Sequence, residues 1–353
     1  MHNKQIHWIT LLFILITSCS KSSPHVSLSC EENQVGNNII KWEVTPQIDG
    51  YVRVYAGSSP YNIVEDIPVG MAKIDDQRLV IINNNPTTRP YYSIVFNNES
   101  KIIVASRNIN IPNVQNFRDL GGYKVYSIDK GGKWGQVYRT GNLDKIDNNG
   151  ISKLKNLNVK TIVDLRPVSE QNTSPLLTNN FQLYSIPIYC KDSGNLLEKI
   201  EKREITRNQI KAHMKEIYTD LVKNNKEQYR QIFDILLDSS NYPIVFQCST
   251  GKEQSGIVAY LLLSTLGVND ETIKVDYRRS NEFLDITEVY TYASSLSNNA
   301  QEALTALLLA QDDYIDAAIQ EVKSSYGNIE AFMTEGLGLE ERDLQKLRSM
   351  LLE

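Results

Sequence analysis

Between Tyr242 and Leu266 the chain runs from a short apolar stretch, Tyr242-Pro-Ile-Val-Phe-Gln247, into Cys248, through Ser249-Thr-Gly-Lys-Glu-Gln-Ser255, and past Gly256 into the helical pattern Ile257 to Leu266. That order reads as a strand, a tight loop and a helix, and a helix opening at the carboxyl end of a buried strand implies an α/β layered domain. The first N–H groups of such a helix have no intrahelical partner and carry the positive end of its macrodipole, so the loop is built to cradle an anion. N–H groups wrapped around one point also favour the thiolate form of a cysteine at the loop's start. A thiolate in that position can attack phosphorus. Gly251 and Gly256 stand where the loop must turn tightly and where the helix must begin close to the strand. Ser255 places a hydroxyl where it can donate to the thiolate or to a leaving group.

The loop resembles the signature HCxxGKDRTG of the bacterial cysteine-dependent tyrosine phosphatases. Cys248, Gly251, Lys252 and Gly256 match it outright, while Gln247 stands for His, Glu253 for Asp, Gln254 for Arg and Ser255 for Thr. The resemblance extends to Asn116-Phe-Arg-Asp-Leu-Gly-Gly-Tyr123, to Trp134-Gly-Gln-Val-Tyr-Arg-Thr-Gly-Asn142, and to Thr161-Ile-Val-Asp-Leu-Arg-Pro167. Asp276-Tyr-Arg-Arg-Ser-Asn281, Tyr326-Gly-Asn-Ile-Glu330 and Gly336-Leu-Gly-Leu339 are similar to the family's helical tail.

The resemblance implies phosphate monoester hydrolysis with Cys248 as nucleophile and Ser249, Thr250, Gly251, Lys252, Glu253, Gln254 and Ser255 as the phosphate cradle. It requires no cofactor and no metal. The acid that protonates the leaving oxygen is either Asp164, in the family's DLR segment, or Asp192, in the loop after a strand; Asp164 can instead be tied structurally to Arg166. Lys252 and Glu253 point to substrate contact, and to phosphoinositide-like as well as phosphorylated protein substrates. The family's loop arginine would fork two N–H bonds onto the phosphoryl oxygens, where Gln254 offers one neutral amide. Arg118 and Arg139 can supply the missing charge or serve as buried ties between loops. The same residues are also compatible with two rival readings: a loop that binds phosphorylated ligands without turnover, and rhodanese-like sulfur transfer on the same cysteine.

The N-terminus carries Lys4 and the apolar run Trp8 to Ile16, which is shorter than the ~20 apolar residues of a bilayer span and reads as a signal peptide. It ends in Ile16-Thr-Ser-Cys19, which resembles the bacterial lipobox, so Cys19 is the expected lipidation site. Residues 1–19 are then signal and acceptor, and 20–24 a tether. The expectation is an exported lipoprotein on a bacterial membrane, at the outer membrane facing the periplasm. A net charge of -5 offers no general attraction to nucleic acid. Cys30, Cys190 and Cys248 have no metal-ligand spacing, although Cys190 could bridge reversibly to Cys248 if the fold joins them.

A chain of 353 residues exceeds what one ordinary core serves. Over 25–111, short runs at Ile39 to Val44, Tyr51 to Tyr55, Arg78 to Ile82, Tyr91 to Phe96 and Lys101 to Ile111 suggest a β-sandwich of immunoglobulin or fibronectin type. Over 112–353, strands Val159 to Leu165 and Gln182 to Ile188, a helical stretch from Arg207 to Asp238, and the strand before Cys248 suggest a largely parallel sheet flanked by helices. The sequence leaves the oligomeric state open.

Overall fold

The computed structural model describes residues 24–353 apart from 34, 86–87, 173, 191–194 and 286. Strands β1 (His25–Glu32), β2 (Asn38–Thr45), β3 (Tyr51–Gly57), β4 (Gly70–Lys73), β5 (Arg78–Ile81), β6 (Tyr91–Phe96) and β7 (Ser100–Ala105) form two antiparallel sheets, ordered β1-β2-β5 and β4-β3-β6-β7. Period-two alternation makes the sandwich: Ile40 and Trp42 are buried while Lys41 and Glu43 are exposed. The Trp42 ring meets Phe96 edge-on and its Nε1 donates to Ile74 O at 2.7 Å, which satisfies the one polar atom the ring buries. Strands β1 and β4 were not expected from the sequence pattern. The run Lys101 to Ile111 is not one strand either: β7 stops at Ala105, and Ile109 and Ile111 pack instead with Phe117, Tyr138, Leu143 and Ile151 in the core of the following α/β part.

In that part β8 (Arg118–Asp119), β11 (Val137–Thr140), β12 (Thr161–Asp164), β13 (Gln182–Ser185) and β14 (Ile244–Gln247) form one sheet in the order β13-β12-β14-β11-β8. Neighbours are parallel except for β8, which runs antiparallel to β11. A small hairpin, β9 (Lys124–Val125) with β10 (Lys130–Gly131), lies apart. Every residue of β11, β12 and β14 is buried, as strands covered on both faces must be. Gln247 at the end of β14 is in register with Thr140 of β11 and Asp164 of β12, so three strand ends meet beside Cys248. Ligand sites of open α/β sheets lie outside such carboxyl ends.

Helices α1 (Asn148–Asn156), α2 (Pro175–Thr178), α3 (Leu196–Glu201), α4 (Arg207–Lys223) and α5 (Lys226–Leu236) precede the loop. The expected stretch from Arg207 to Asp238 is thus two helices. Asn225, fully buried, turns its side chain onto Leu221 O and onto the N–H and C=O of Tyr189, and these bonds replace a continued helix. After the loop come α6 (Gln254–Leu266), α7 (Asp270–Arg278), α8 (Ser280–Phe283), α9 (Thr287–Ala293), α10 (Asn298–Leu308), α11 (Asp312–Tyr326), α12 (Ile329–Ala331) and α13 (Glu341–Leu351). Helix α6 is buried almost all round, which is why its sequence is apolar without a polar face, and it ends at Gly267 in the left-handed region, φ 92°.

Candidate active site

Cys248 lies fully buried at the end of β14, its Sγ 3.5 Å from Ser255 Oγ. None of the N–H groups of residues 249–254 donates to a backbone carbonyl among the described residues. Their carbonyls, by contrast, are held from outside. Asn142 N donates to Ser249 O at 3.2 Å, and Asn116 Nδ2 donates to Thr250 O and Gly251 O at 3.0 Å each. Arg139 donates to Gly251 O at 2.8 Å and Lys252 O at 3.0 Å, and Ile257 N takes Glu253 O at 3.0 Å. A peptide whose oxygen is fixed outward has its N–H directed inward, so these bonds make the anion nest. Gly251 is obligatory here: its φ is +69°, and a Cβ would sit 2.6 Å from Gly141 N and Thr140 C.

The clamps are themselves anchored on Asp276 of α7. Arg139 Nη1 lies 2.8 Å from its Oδ2, and Arg118 Nε 3.3 Å and the Tyr123 hydroxyl 2.8 Å from its Oδ1. Arg118 also bonds Asn116 Oδ1, Ser280 Oγ and the Asp276 carbonyl, which orients the asparagine that holds the loop. Burial pushes the Asp276 carboxyl up, but the guanidinium groups of Arg118, Arg139 and Arg107, with the Tyr123 hydroxyl, outweigh it and hold it well below the usual carboxylate range. Arg118 and Arg139 are therefore structural ties behind the loop and do not supply the charge that Gln254 lacks. Both are fully buried.

Lys252 also departs from expectation. Its side chain is buried, and Nζ lies 2.6 Å from Leu308 O at the carboxyl end of α10 and 2.9 Å from Glu253 Oε1. A helix end rich in unpaired carbonyls and a carboxylate together hold the ammonium away from the nest. Glu253 in turn accepts from the Thr250 hydroxyl at 2.9 Å. Burial raises its carboxyl, but the Lys252 charge and these hydrogen bonds outweigh it and leave it below the ordinary range. Gln254 is buried, and its Nε2 reaches Leu165 O and Ile188 O at 3.4 Å each, a pair of long bonds.

Asp164 is spent as an anchor. Oδ1 accepts from Arg166 N and Nε at 3.0 Å, and Oδ2 from Arg166 Nη2 at 2.7 Å and Gln247 Nε2 at 2.6 Å. A carboxylate has about four lone-pair sites, and these four bonds fill them. Arg166 is further pinned by Asp144 at 2.7 and 3.0 Å. Gln247, in the slot of the family's His, thus ties β14 to β12 and also accepts from Leu143 N. Asp192 lies outside the described residues. Among the described residues, a carboxylate from outside the loop that does reach it is Glu170, in a short 3-10 turn after β12: its Oε2 accepts from Ser249 Oγ at 2.6 Å and its side chain is exposed. Nothing in its sequence context marks it, because the turn that brings it to Ser249 is set by tertiary packing. Cys190 is half-buried, with Cys248 and Glu253 among the groups that act on it, and burial pushes its thiol up to about 12.

Residues 109–353 match the family described as the tyrosine phosphatase family. A Cupriavidus necator protein assigned as a tyrosine-protein phosphatase is 25% identical over 246 residues, 68% of this chain and 86% of the relative. The triple specificity protein phosphatase PtpB of Mycobacterium tuberculosis is 20% identical over 278 residues, 69% of this chain and 98% of that protein. Among solved structures, the Siw14 catalytic core aligns with 17% identity and a TM-score of 0.28, over 50% of this chain and 90% of that one. Since the family match takes in the clamp segment and the helical tail as well as the cysteine loop, the chain belongs to the tyrosine phosphatase family.

Proposed function

We propose that the chain hydrolyses phosphate monoesters through a phosphocysteine on Cys248. The observation that carries this is the nest: N–H groups of residues 249–254 without a backbone acceptor, carbonyls tied outward, and a cysteine at its floor. Cys248 Sγ attacks phosphorus, the ester oxygen leaves with a proton, and water then cleaves the phosphorus–sulfur bond to regenerate the thiolate and release phosphate. Among the described residues Glu170 is our candidate to give that proton and later to take one from water, since its Oε2 bonds the loop at Ser249 while Asp164 is fully engaged; Asp192, outside the described residues, is the alternative. Ser255 Oγ, which accepts from the Cys248 thiol at 3.5 Å, is the hydroxyl that would donate to the thiolate once the proton has left. Phosphorylated protein is the substrate class we favour. A phosphoinositide-like head group is the second class, proposed on the loop positions of Lys252 and Glu253, with the Lys252 ammonium here bonded to Leu308 O and Glu253.

Turnover of an aryl phosphate by the wild type, with acid trapping of labelled phosphoenzyme, tests the reading. Cys248→Ser should lose both signals while retaining its thermal transition, because a serine hydroxyl stays protonated where a thiolate is required. Turnover that survives in Cys248→Ser would end the covalent mechanism.

We further propose the lipoprotein reading: signal and acceptor at 1–19 and a tether at 20–24, ahead of the sandwich and the catalytic part. Cys19 lies outside the described residues, and no helix among those described is long and apolar enough to cross a membrane. Anchorage at an outer membrane facing the periplasm would then rest on the Cys19 lipid. Cys19→Ala should move the protein from the membrane pellet to the soluble fraction, and continued pelleting after a carbonate wash would refute the lipid anchor.

A further inference from the structure

The sandwich delivers an arginine into the clamp segment of the catalytic part. Arg89, between β5 and β6, donates from Nη1 to Asp119 Oδ2 at 2.6 Å and to the Tyr91 hydroxyl at 3.0 Å, and from Nη2 to Ser106 O at 2.8 Å. Its side chain is 5% exposed and that of Asp119 0%. The same Asp119 accepts from Gly121 N at 2.7 Å and Gly135 N at 2.8 Å, so one carboxylate shapes the turn after β8 and the turn before β11. A second sandwich-side arginine, Arg107, donates to Asp119 O and Gly121 O at 2.7 and 2.6 Å and stacks 3.7 Å over the Tyr123 ring. Tyr123 is the residue whose hydroxyl bonds Asp276.

Asp119 and Arg118 are consecutive residues of β8, so their side chains leave opposite faces of the strand. One binds the sandwich and the other binds Asp276 and Asn116, the groups that fix the nest. We infer that the sandwich is a working part of the active site: Arg89, through Asp119, is a positioning residue that sets β8 and thereby the Asn116 and Arg139 bonds that turn the loop's N–H groups inward. This rests on the nest proposed above as the phosphate site. A plain spacer role for a domain without catalytic groups does not account for a buried ion pair between the two parts. A separable spacer would be joined by a linker with few crossing contacts.

The test uses the full chain and reads Cys248 directly. Iodoacetate alkylation of Cys248 is followed by peptide mass spectrometry, which resolves it from Cys190 and Cys30, well below the melting temperature and with and without inorganic phosphate. Arg89→Met should slow Cys248 alkylation and weaken phosphate protection by about three- to thirtyfold, the range for coupling through a packed network. Arg89→Lys, which keeps the charge but not the fork and folds more readily, should fall between. Val52→Ala is the control: Val52 is fully buried in the sandwich and pairs with Phe96, at the far end of β3 and β6 from Tyr91. It should lower the melting temperature and leave Cys248 unchanged. If the Arg89 variants alkylate like the wild type, or if Val52→Ala shifts Cys248 as much as they do, the inference is overturned. A wild type that phosphate does not protect, with alkylation that still depends on Arg89, would sink the phosphate-site reading and leave the positioning role standing.

Discussion

Replacing Gln254 with arginine returns a cationic fork to the first turn of α6, and the structure lets the consequence be sized. The amide now spends its donors on Leu165 O and Ile188 O at 3.4 Å, bonds too long to count as more than a fraction of the about 0.5–1.5 kcal/mol of an ordinary one. Losing them costs little. No arginine competes for the ligand from behind, because Arg118 and Arg139 are committed to Asp276 and the loop carbonyls, and Arg166 to Asp144 and Asp164. The new guanidinium would therefore meet phosphoryl oxygens that the N–H nest alone now holds. One oriented donor to developing charge is worth about 10²–10³ in rate, so kcat/KM on an aryl phosphate should rise by at least about 10², which is about 2.7 kcal/mol. Steady-state kinetics of both proteins measure this, with phosphate protection of Cys248 as the check that the nest persists. An arginine variant that still protects Cys248 with phosphate and gains nothing in rate would refute the reasoning, since the charge would then not be the missing group.

Glu170→Gln should lower kcat by about 10² on an alkyl phosphate, whose leaving oxygen needs a proton, and far less on a nitrophenyl phosphate, whose leaving group does not; equal losses on both would remove Glu170 from the acid role. Asp276 gives an acid-stability prediction. Its carboxyl is held below its unfolded value, so the stability it contributes is complete above about pH 4 and is lost as the pH falls toward the folded value. Urea midpoints of the wild type should drop below about pH 4. Asp276→Asn should be less stable at pH 7 by about 3–5 kcal/mol, the cost of leaving two buried guanidinium groups without their carboxylate, and flatter in acid; parallel curves for the two proteins would refute the hub.

The order of strand, loop and helix around Cys248 was legible because it is local: an apolar run, glycines where φ or close approach demands them, and a helix whose start follows at once. The sandwich was legible for the same reason in β2 and β3, where buried Ile40, Trp42, Val52 and Val54 stand at every second position, and in β6, an apolar run buried almost throughout; it was not in β1, whose Val26 and Leu28 stay half-buried, or in β4, which is only four residues long and leaves Met71 exposed. Side-chain direction was not legible. Lys252, Asp164 and the two arginines lie in segments that sequence singles out, yet each is turned away from the ligand by a partner 50 or more positions distant: Lys252 by Leu308, Asp164 by Gln247, Arg118 and Arg139 by Asp276. Asp164 also has Arg166 close by in sequence, which is why the structural alternative for it was visible at all. No local pattern reports a bond that spans the fold.

These distant partners share a physical logic. A loop that must present bare N–H groups to an anion cannot use its own carbonyls for internal bonding without curling shut, so something else has to hold those oxygens. Neutral donors can do it, as Asn116 and Asn142 N do, but a guanidinium holds two at once, as Arg139 does for Gly251 and Lys252. A buried guanidinium needs a buried carboxylate, and two of them on Asp276 need that carboxylate fixed, which Tyr123 and α7 provide. The neighbouring Asp119 repeats the arrangement with Arg89. Positive charge is thus plentiful behind the nest and bound up in pairs, whereas on the ligand side the loop presents N–H dipoles and the start of α6. Gln254 is the loop position from which the family's arginine would put a full charge on the ligand, and its side chain is neutral, so whatever the site achieves rests on the accuracy with which its peptide groups are held.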